Sequence, residues 1–204
     1  KVRRQIRLRA FDDAAALRAL GWRGRLLVIG FGRFGYSAIL PAMQEGLQLT
    51  NTQTGALQTL NLIGYLLTVV FAGIFAARYG PRIVISLSLL VVGLSMIVTG
   101  LVPTVEAACV GRFFAGVGGA GGNVPAMGLV SAWFGARRRG LASGVGVTGS
   151  SVGLIVTGPL IPAILHQYGG AEGWRISWYV LGALALAVCA VCAVFLRNHP
   201  GEKE

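Results

Sequence analysis

Residues 55–77 read GALQTLNLIGYLLTVVFAGIFAA, a stretch without a single charged side chain. A helix needs about 20 mostly apolar residues to cross the hydrocarbon layer of a bilayer. Five more stretches have this length and character, near residues 26–45, 83–103, 106–134, 141–165 and 176–197. The sequence therefore predicts an all-α integral membrane protein that folds as a bundle of six transmembrane helices.

The composition of the whole chain excludes a soluble domain. Of the 204 residues, 54% are hydrophobic and only 12% are charged, whereas about 25% of the residues in a typical soluble protein are charged. So few charges could not cover the surface of a soluble globule. The three cysteines, Cys109, Cys189 and Cys192, lie in apolar stretches, which indicates small hydrophobic side chains and not a disulfide framework.

The basic residues lie almost entirely on one side of the six stretches. Eight precede the first stretch, two follow the second, three follow the fourth and two follow the sixth, whereas the opposite loops hold only Arg175. Lysine and arginine mark cytoplasmic loops, so we predict that both termini are cytoplasmic and that the protein resides in a cell membrane, the inner membrane of a bacterium. The net charge of +11 then orients the chain in the bilayer and does not indicate a nucleic-acid partner. Trp174 and Trp178 are predicted at the membrane interface, where amphipathic rings are favoured.

Polar side chains recur at helical spacing on four of the six stretches. Arg33 and Tyr36 lie on the first, Asn61 and Tyr65 on the second, Arg112 and Asn123 on the fourth, and Ser143, Ser150 and Thr157 on the fifth. Polar groups are costly inside a bilayer and usually face a cavity or a partner. The stripes therefore predict a water-accessible path, with hydrogen bonds between helices as the alternative.

Arg33 is the most informative of these residues. It lies about seven residues, or ~11 Å, into its stretch, and no acidic residue lies in the interior of any stretch to neutralise it; Glu45, at the end of the first stretch, is the nearest candidate. We predict a small, anionic organic ligand whose negative group contacts Arg33. The cavity-lining hydrogen-bonding residues are predicted to be Tyr36, Asn61, Tyr65 and Asn123. No metal or other cofactor is expected.

Several motifs of soluble enzymes occur, but the sequence does not predict the structural context that each of them requires. Gly116-x-Gly118-x-x-Gly121 matches a dinucleotide fingerprint but follows no predicted strand. The segment from Gly149 to Gly153 matches the G-x-S-x-G of serine hydrolases, which leaves an intramembrane serine protease as an alternative, although no histidine lies within the bilayer near Ser151. Packing explains the glycines better, since small residues four apart let membrane helices approach closely. Such pairs are Gly118 with Gly122 and Gly140 with Gly144.

Two segments resemble motifs of the major facilitator superfamily (MFS) of transporters. The loop Gly73-Ile-Phe-Ala-Ala-Arg78-Tyr-Gly80-Pro-Arg82 resembles G-x-L-A-D-R-x-G-R-R, with Ala77 where the family usually has aspartate. Arg112-Phe-Phe-Ala-Gly116-Val-Gly118 resembles R-x-x-x-G-x-G. The resemblance covers roughly residues 26–200 and the N-terminal six-helix half of the family fold. Within the family, the chain looks similar to the YbfB-like branch and to the oxalate/formate and monocarboxylate branch.

The resemblance implies a function and a division of the chain. Two six-helix halves rock about a central site in the family, so we expect secondary transport by alternating access, with a missing C-terminal half as partner, on the same longer chain or on a second one. Gly73, Arg78, Gly80 and Arg82 would act in gating and Arg112 in coupling. Residues 1–24 would form a basic cytoplasmic tail, residues 25–198 the membrane domain and residues 199–204 the start of a central loop. The chain would not be an enzyme; a non-transporting membrane scaffold or assembly factor is the alternative from another class.

Overall fold

The computed structural model describes residues 38–133 and 139–195 of the chain. Every regular element in these two ranges is a helix. The helices are α1, described over residues 38–46, α2 (Asn51–Tyr79), α3 (Pro81–Leu101), α4 (Val105–Trp133), α5 (Arg139–Tyr168) and α6 (Gly170–Phe195). Outside the described residues lie Arg33 and Tyr36, the predicted tail at 1–24, the first residues of the predicted membrane domain and the predicted central loop at 199–204.

Helix α2 extends a few residues beyond its apolar stretch, and polar residues cap its start. At the start of α2, the Thr50 hydroxyl accepts a hydrogen bond from the Gln53 backbone N–H at 3.3 Å. The Gln53 side chain in turn accepts from the Thr50 backbone N–H at 2.9 Å. This capping box satisfies two backbone donors that have no partner within a helix. Helix α2 therefore begins four residues before the predicted stretch.

A single glycine separates α2 from α3. Gly80 has φ 85° and ψ 143°, and its N–H donates to the Ala76 carbonyl at 3.1 Å. Residues with a side chain rarely adopt a positive φ, so the glycine of the loop motif has a direct structural cause. Pro81 then occupies the first turn of α3, where its missing N–H costs nothing.

Three of the described helices are both long enough and apolar enough to cross a membrane. They are Asn51–Tyr79, Pro81–Leu101 and the segment Glu172–Val194 of α6. Helices α4 and α5 have 29 and 30 residues, which is also sufficient length to cross a membrane. The all-helical architecture agrees with the sequence prediction; that all six stretches cross the bilayer stays a prediction.

Helix α4 lies between α2 and α3, α3 also packs along α6, and α5 packs mainly on α6. The hydrophobic core includes Met43 of α1, Leu57 of α2, Met96 of α3 and Trp178 of α6. Trp174 and Trp178 are both 0% exposed, so their rings lie inside the bundle and not on its lipid-facing surface. The prediction of two interfacial tryptophans was wrong in this respect, because both rings fill the core between α6 and its neighbours.

Glycine does mediate close helix packing, but of the glycines in the two predicted pairs only Gly118 closely approaches another described helix. A Cβ atom at Gly118 would lie 2.6 Å from the Ser88 carbonyl oxygen of α3, so Gly118 is required. A Cβ atom at Gly122, Gly140 or Gly144 would meet no atom of another segment within 4 Å. Four-residue spacing identified glycine-rich faces and did not show which glycine meets a neighbour.

Candidate functional site

The middle of α2 crosses α4 with backbone against backbone. A Cβ atom at Gly64 would collide with the Phe113 carbonyl oxygen, and one at Gly116 would collide with that of Asn61. At this crossing the Asn61 side-chain amide donates to the Arg112 backbone carbonyl at 2.9 Å. Two glycines thus bring the helices close enough for a short amide side chain to bridge them.

One turn further along α2, a second hydrogen bond joins the same two helices. The Asn123 side-chain amide donates to the Tyr65 phenol oxygen at 3.0 Å, and both residues are half-buried. The phenol ring lies beside Gly119, where a Cβ atom would be at an ordinary van der Waals distance of 3.7 Å from Tyr65 Cδ2. We call Asn61, Tyr65 and Asn123 the polar seam.

The polar seam contains three of the five predicted ligand-binding residues. Asn61 and Tyr65 are four residues apart on α2 and therefore share one face of the helix, as the sequence predicted. Arg33 and Tyr36, the other two, lie outside the described residues. The contacts show that amide and phenol groups converge here; whether they bind a ligand is a separate proposal made below. Thr68, further along the same stripe, donates to the Gly64 carbonyl of its own helix at 2.9 Å.

The side chain of Arg112 extends toward α6, on another side of α4 from the seam. Arg112 is 2% exposed, and its guanidinium carbon lies 5.5 Å from the centre of the Trp178 ring. A desolvated cation–π contact of this kind contributes up to about 2 kcal/mol. Arg112 therefore links α2 through its carbonyl and α6 through its side chain. The sequence predicted Trp178 at the membrane interface and did not identify it as a partner of Arg112; its spacing of four from Trp174 is the signal that marks a shared aromatic face.

The residues of the loop motif have different surroundings. Gly73 and Arg78 are exposed, and the Arg78 guanidinium lies over the Tyr79 ring at 5.6 Å. Gly80 forms the turn already described. Arg82 alone of the four reaches a distant helix, since its Nε and Nη2 donate to the Ala193 carbonyl of α6 at 3.1 and 2.6 Å.

A shallow depression of about 450 Å³ lies at the end of α1, lined by Pro41, Gln44, Glu45, Gln48 and Leu49. None of the seam residues lines it. In the part of the chain that the structure describes, no group of three or more His, Cys, Asp or Glu side chains could hold a metal ion.

Residues 26–204 match the profile of the Major Facilitator Superfamily. The chain belongs to this superfamily. The match takes in all of the described helices, so the polar seam and the loop motif belong to an MFS bundle. MFS membership indicates a transporter and not an enzyme, and it removes the basis for an intramembrane protease.

Curated MFS relatives include proteins named for transport of organic acids and one named as a sensor. The "Probable sulfoacetate transporter SauU" of Cupriavidus necator is 28% identical over 170 residues, which are 83% of this chain and 39% of the relative. The "Probable L-galactonate transporter" of Escherichia coli is 25% identical over 157 residues, 77% of this chain and 34% of the relative. The "Membrane sensor protein UhpC" of Salmonella typhimurium is 29% identical over 191 residues, 88% of this chain and 41% of the relative. The chain thus spans about two fifths of the length of these relatives.

The fold matches that of solved transporters. A crystal structure of a bacterial homologue of the human lysosomal transporter Spinster, inward-facing and unoccupied, superposes with a TM-score of 0.75 at 20% identity. The superposition covers 94% of this chain and 44% of that one. At this identity the likeness establishes the fold alone, and the chain corresponds to somewhat less than half of the solved transporter.

Proposed function

We propose that this chain is one six-helix half of a secondary transporter that carries a small anionic organic solute by alternating access. The observation that carries the proposal is the polar seam, which places two amides and a phenol between apolar helices of an MFS bundle. Amide and hydroxyl groups at this depth suit a solute that brings carboxylate and hydroxyl oxygens of its own. The names of the sulfoacetate and L-galactonate relatives support the anionic class.

The charge distribution of the described helices favours an anion. Their acidic residues are Glu45, Glu106 and Glu172, and each lies within three residues of a helix end. No carboxylate in the described ranges therefore lies near the seam to repel a negative solute. We propose that Arg33 supplies the positive charge and that Tyr36 joins the seam residues in binding. Any proton carrier with a carboxylate would belong to the second half.

Arg33→Gln in the full-length protein is expected to raise the KM for carboxylate uptake about 10- to 100-fold, because a hydrogen bond to a charged group is lost. Uptake into proteoliposomes measures this effect. Arg25→Gln removes the same charge ahead of the predicted first helix and serves as the matched control. An unchanged KM and rate across carboxylates in Arg33→Gln would remove Arg33 from the site.

A non-transporting protein that uses the same bundle is the second candidate, and the relative named as a membrane sensor favours it. Solute-dependent thermal stabilisation separates a binding cavity from a scaffold without one, since a ligand at 100 times its Kd stabilises by about 2.7 kcal/mol. Stabilisation together with uptake supports the transporter. Stabilisation without uptake supports a sensor. If neither stabilisation nor uptake is observed, the result supports a scaffold.

We further propose that the α2–α3 turn and both termini are cytoplasmic, in the inner membrane of a bacterium. The structure places Arg82 at the start of α3 beside Ala193 at the end of α6, so these two helix ends lie on the same side. A reporter fused after Gly80 is expected inside the cell, and one fused at Gly170 outside. A reporter at Gly170 that proved cytoplasmic would contradict this topology.

A further inference from the structure

Helices α3 and α6 run antiparallel and contact each other at one register along their whole length. Arg82 contacts Ala193, and Cys189 Sγ donates to the Ser86 carbonyl at 3.1 Å. In the middle, a Cβ atom at Gly93 would lie 3.1 Å from the Gly182 carbonyl oxygen, and one at Gly182 would lie 2.9 Å from that of Gly93. Near the other end, Arg175 contacts Gly100. The residue numbers in each of these four pairs add up to 275, as a regular antiparallel pairing requires.

At each end of this helix pair, an arginine of one helix donates hydrogen bonds to backbone carbonyls at the end of the other helix. Arg82, the second residue of α3, donates to a carbonyl in the last turn of α6. Arg175, in the second turn of α6, donates to the Gly100 and Leu101 carbonyls at the end of α3, at 3.0 and 3.4 Å. The Tyr179 hydroxyl adds a hydrogen bond to the Gly100 carbonyl at 3.1 Å.

The last four carbonyls of a helix have no intrahelical partner and carry the negative end of the helix dipole. In a membrane protein these groups must find donors from elsewhere. A guanidinium supplies both several N–H donors and a positive charge, and its planar fork lets two nitrogens of Arg82 bond one carbonyl. Each helix thus provides the cap that the other one lacks.

We propose that Arg82 and Arg175 form a reciprocal pair of arginine clamps that hold α3 and α6 at this register as one unit. Sliding one helix by a turn, about 5.4 Å, would pull both guanidinium groups from their carbonyls at once. It would also carry the paired glycines past each other. The clamp pair depends only on contacts between α3 and α6 and does not rest on the proposed transport.

Cysteine cross-linking tests the register. In full-length protein with Cys109 and Cys192 replaced by serine, Ser86→Cys should cross-link to the native Cys189 through a short thiol-reactive bridge. Ser88→Cys is the matched control: its side chain contacts Gly121 of α4, so it should not cross-link. Absence of the Ser86→Cys product, or equal cross-linking from Ser88→Cys, would overturn the register.

Substitution of the arginines tests the clamps. Arg82→Gln and Arg175→Gln are each expected to lower the Tm by about 3–10 °C, because a hydrogen bond from a charged group is lost, and to speed amide hydrogen exchange in the last turn of the partner helix. Lysine at either position should restore only part of the loss. Arg78→Gln, a surface arginine two residues from Gly80, is the control. The clamps are refuted if both Gln variants match Arg78→Gln in Tm and in exchange.

Discussion

Gly116→Ala is expected to destabilise the protein by about 3 kcal/mol, the upper end of the range typical of overfilled cores, because backbone atoms lie in the way. The new Cβ atom would collide with the Asn61 carbonyl oxygen and would lie 2.9 Å from the Tyr65 backbone nitrogen. Both are backbone atoms, which cannot rotate away as a side chain can. Helices α2 and α4 would have to separate, and their separation would stretch both hydrogen bonds of the polar seam. Chemical denaturation of the purified protein measures the free energy of unfolding.

Gly122→Ala is the matched control, six residues further along the same helix. Among the described residues, a Cβ atom at Gly122 meets no other segment within 4 Å, and alanine is favoured over glycine inside a helix by about 0.5–1 kcal/mol. The two substitutions add the same methyl group and are expected to change stability in opposite directions. A Gly116→Ala protein as stable as Gly122→Ala would show that α2 and α4 do not cross as closely as the structure places them.

The contrast between these glycines shows where sequence reasoning stops. The apolar stretches predicted the helices to within a few residues, because membrane span length is a property of each segment alone. Helical spacing also placed Asn61 with Tyr65 on a common face. Which atoms meet across two helices depends on their crossing point and axial register, and a displacement of one residue alters every contact. No pattern within either helix fixes that register.

Arg82 and Arg112 illustrate a second limit. The sequence singled out Arg82 through the loop motif and Arg112 through the fourth-helix motif and the polar stripe, and it named no partner for either. The structure gives Arg82 a backbone carbonyl and Arg112 an indole ring as partners. Every residue has a carbonyl and tryptophans are read as interfacial, so neither partner stands out in a sequence.

Trp178→Ala is expected to cost about 3–5 kcal/mol, the usual range for truncating a buried tryptophan. Trp178 is 0% exposed, belongs to the hydrophobic core and lies against the Arg112 guanidinium. Its loss would leave a cavity between α3, α4 and α6 and remove the aromatic face from Arg112. Tyr168→Ala is the control, since Tyr168 is 53% exposed at the end of α5 and its truncation should change stability by less than about 0.5 kcal/mol.

The contact with Arg112 can be separated from the general loss of packing by a double-mutant cycle. Trp178→Leu and Arg112→Met leave an apolar side chain at each position while they remove the ring and the charge. Coupling between the two substitutions of about 0.5–2 kcal/mol is expected for a desolvated cation–π pair. Additive effects would mean that the ring and the guanidinium are merely neighbours. Arg112 would then be held by α4 and the Asn61 hydrogen bond to its carbonyl, without help from α6.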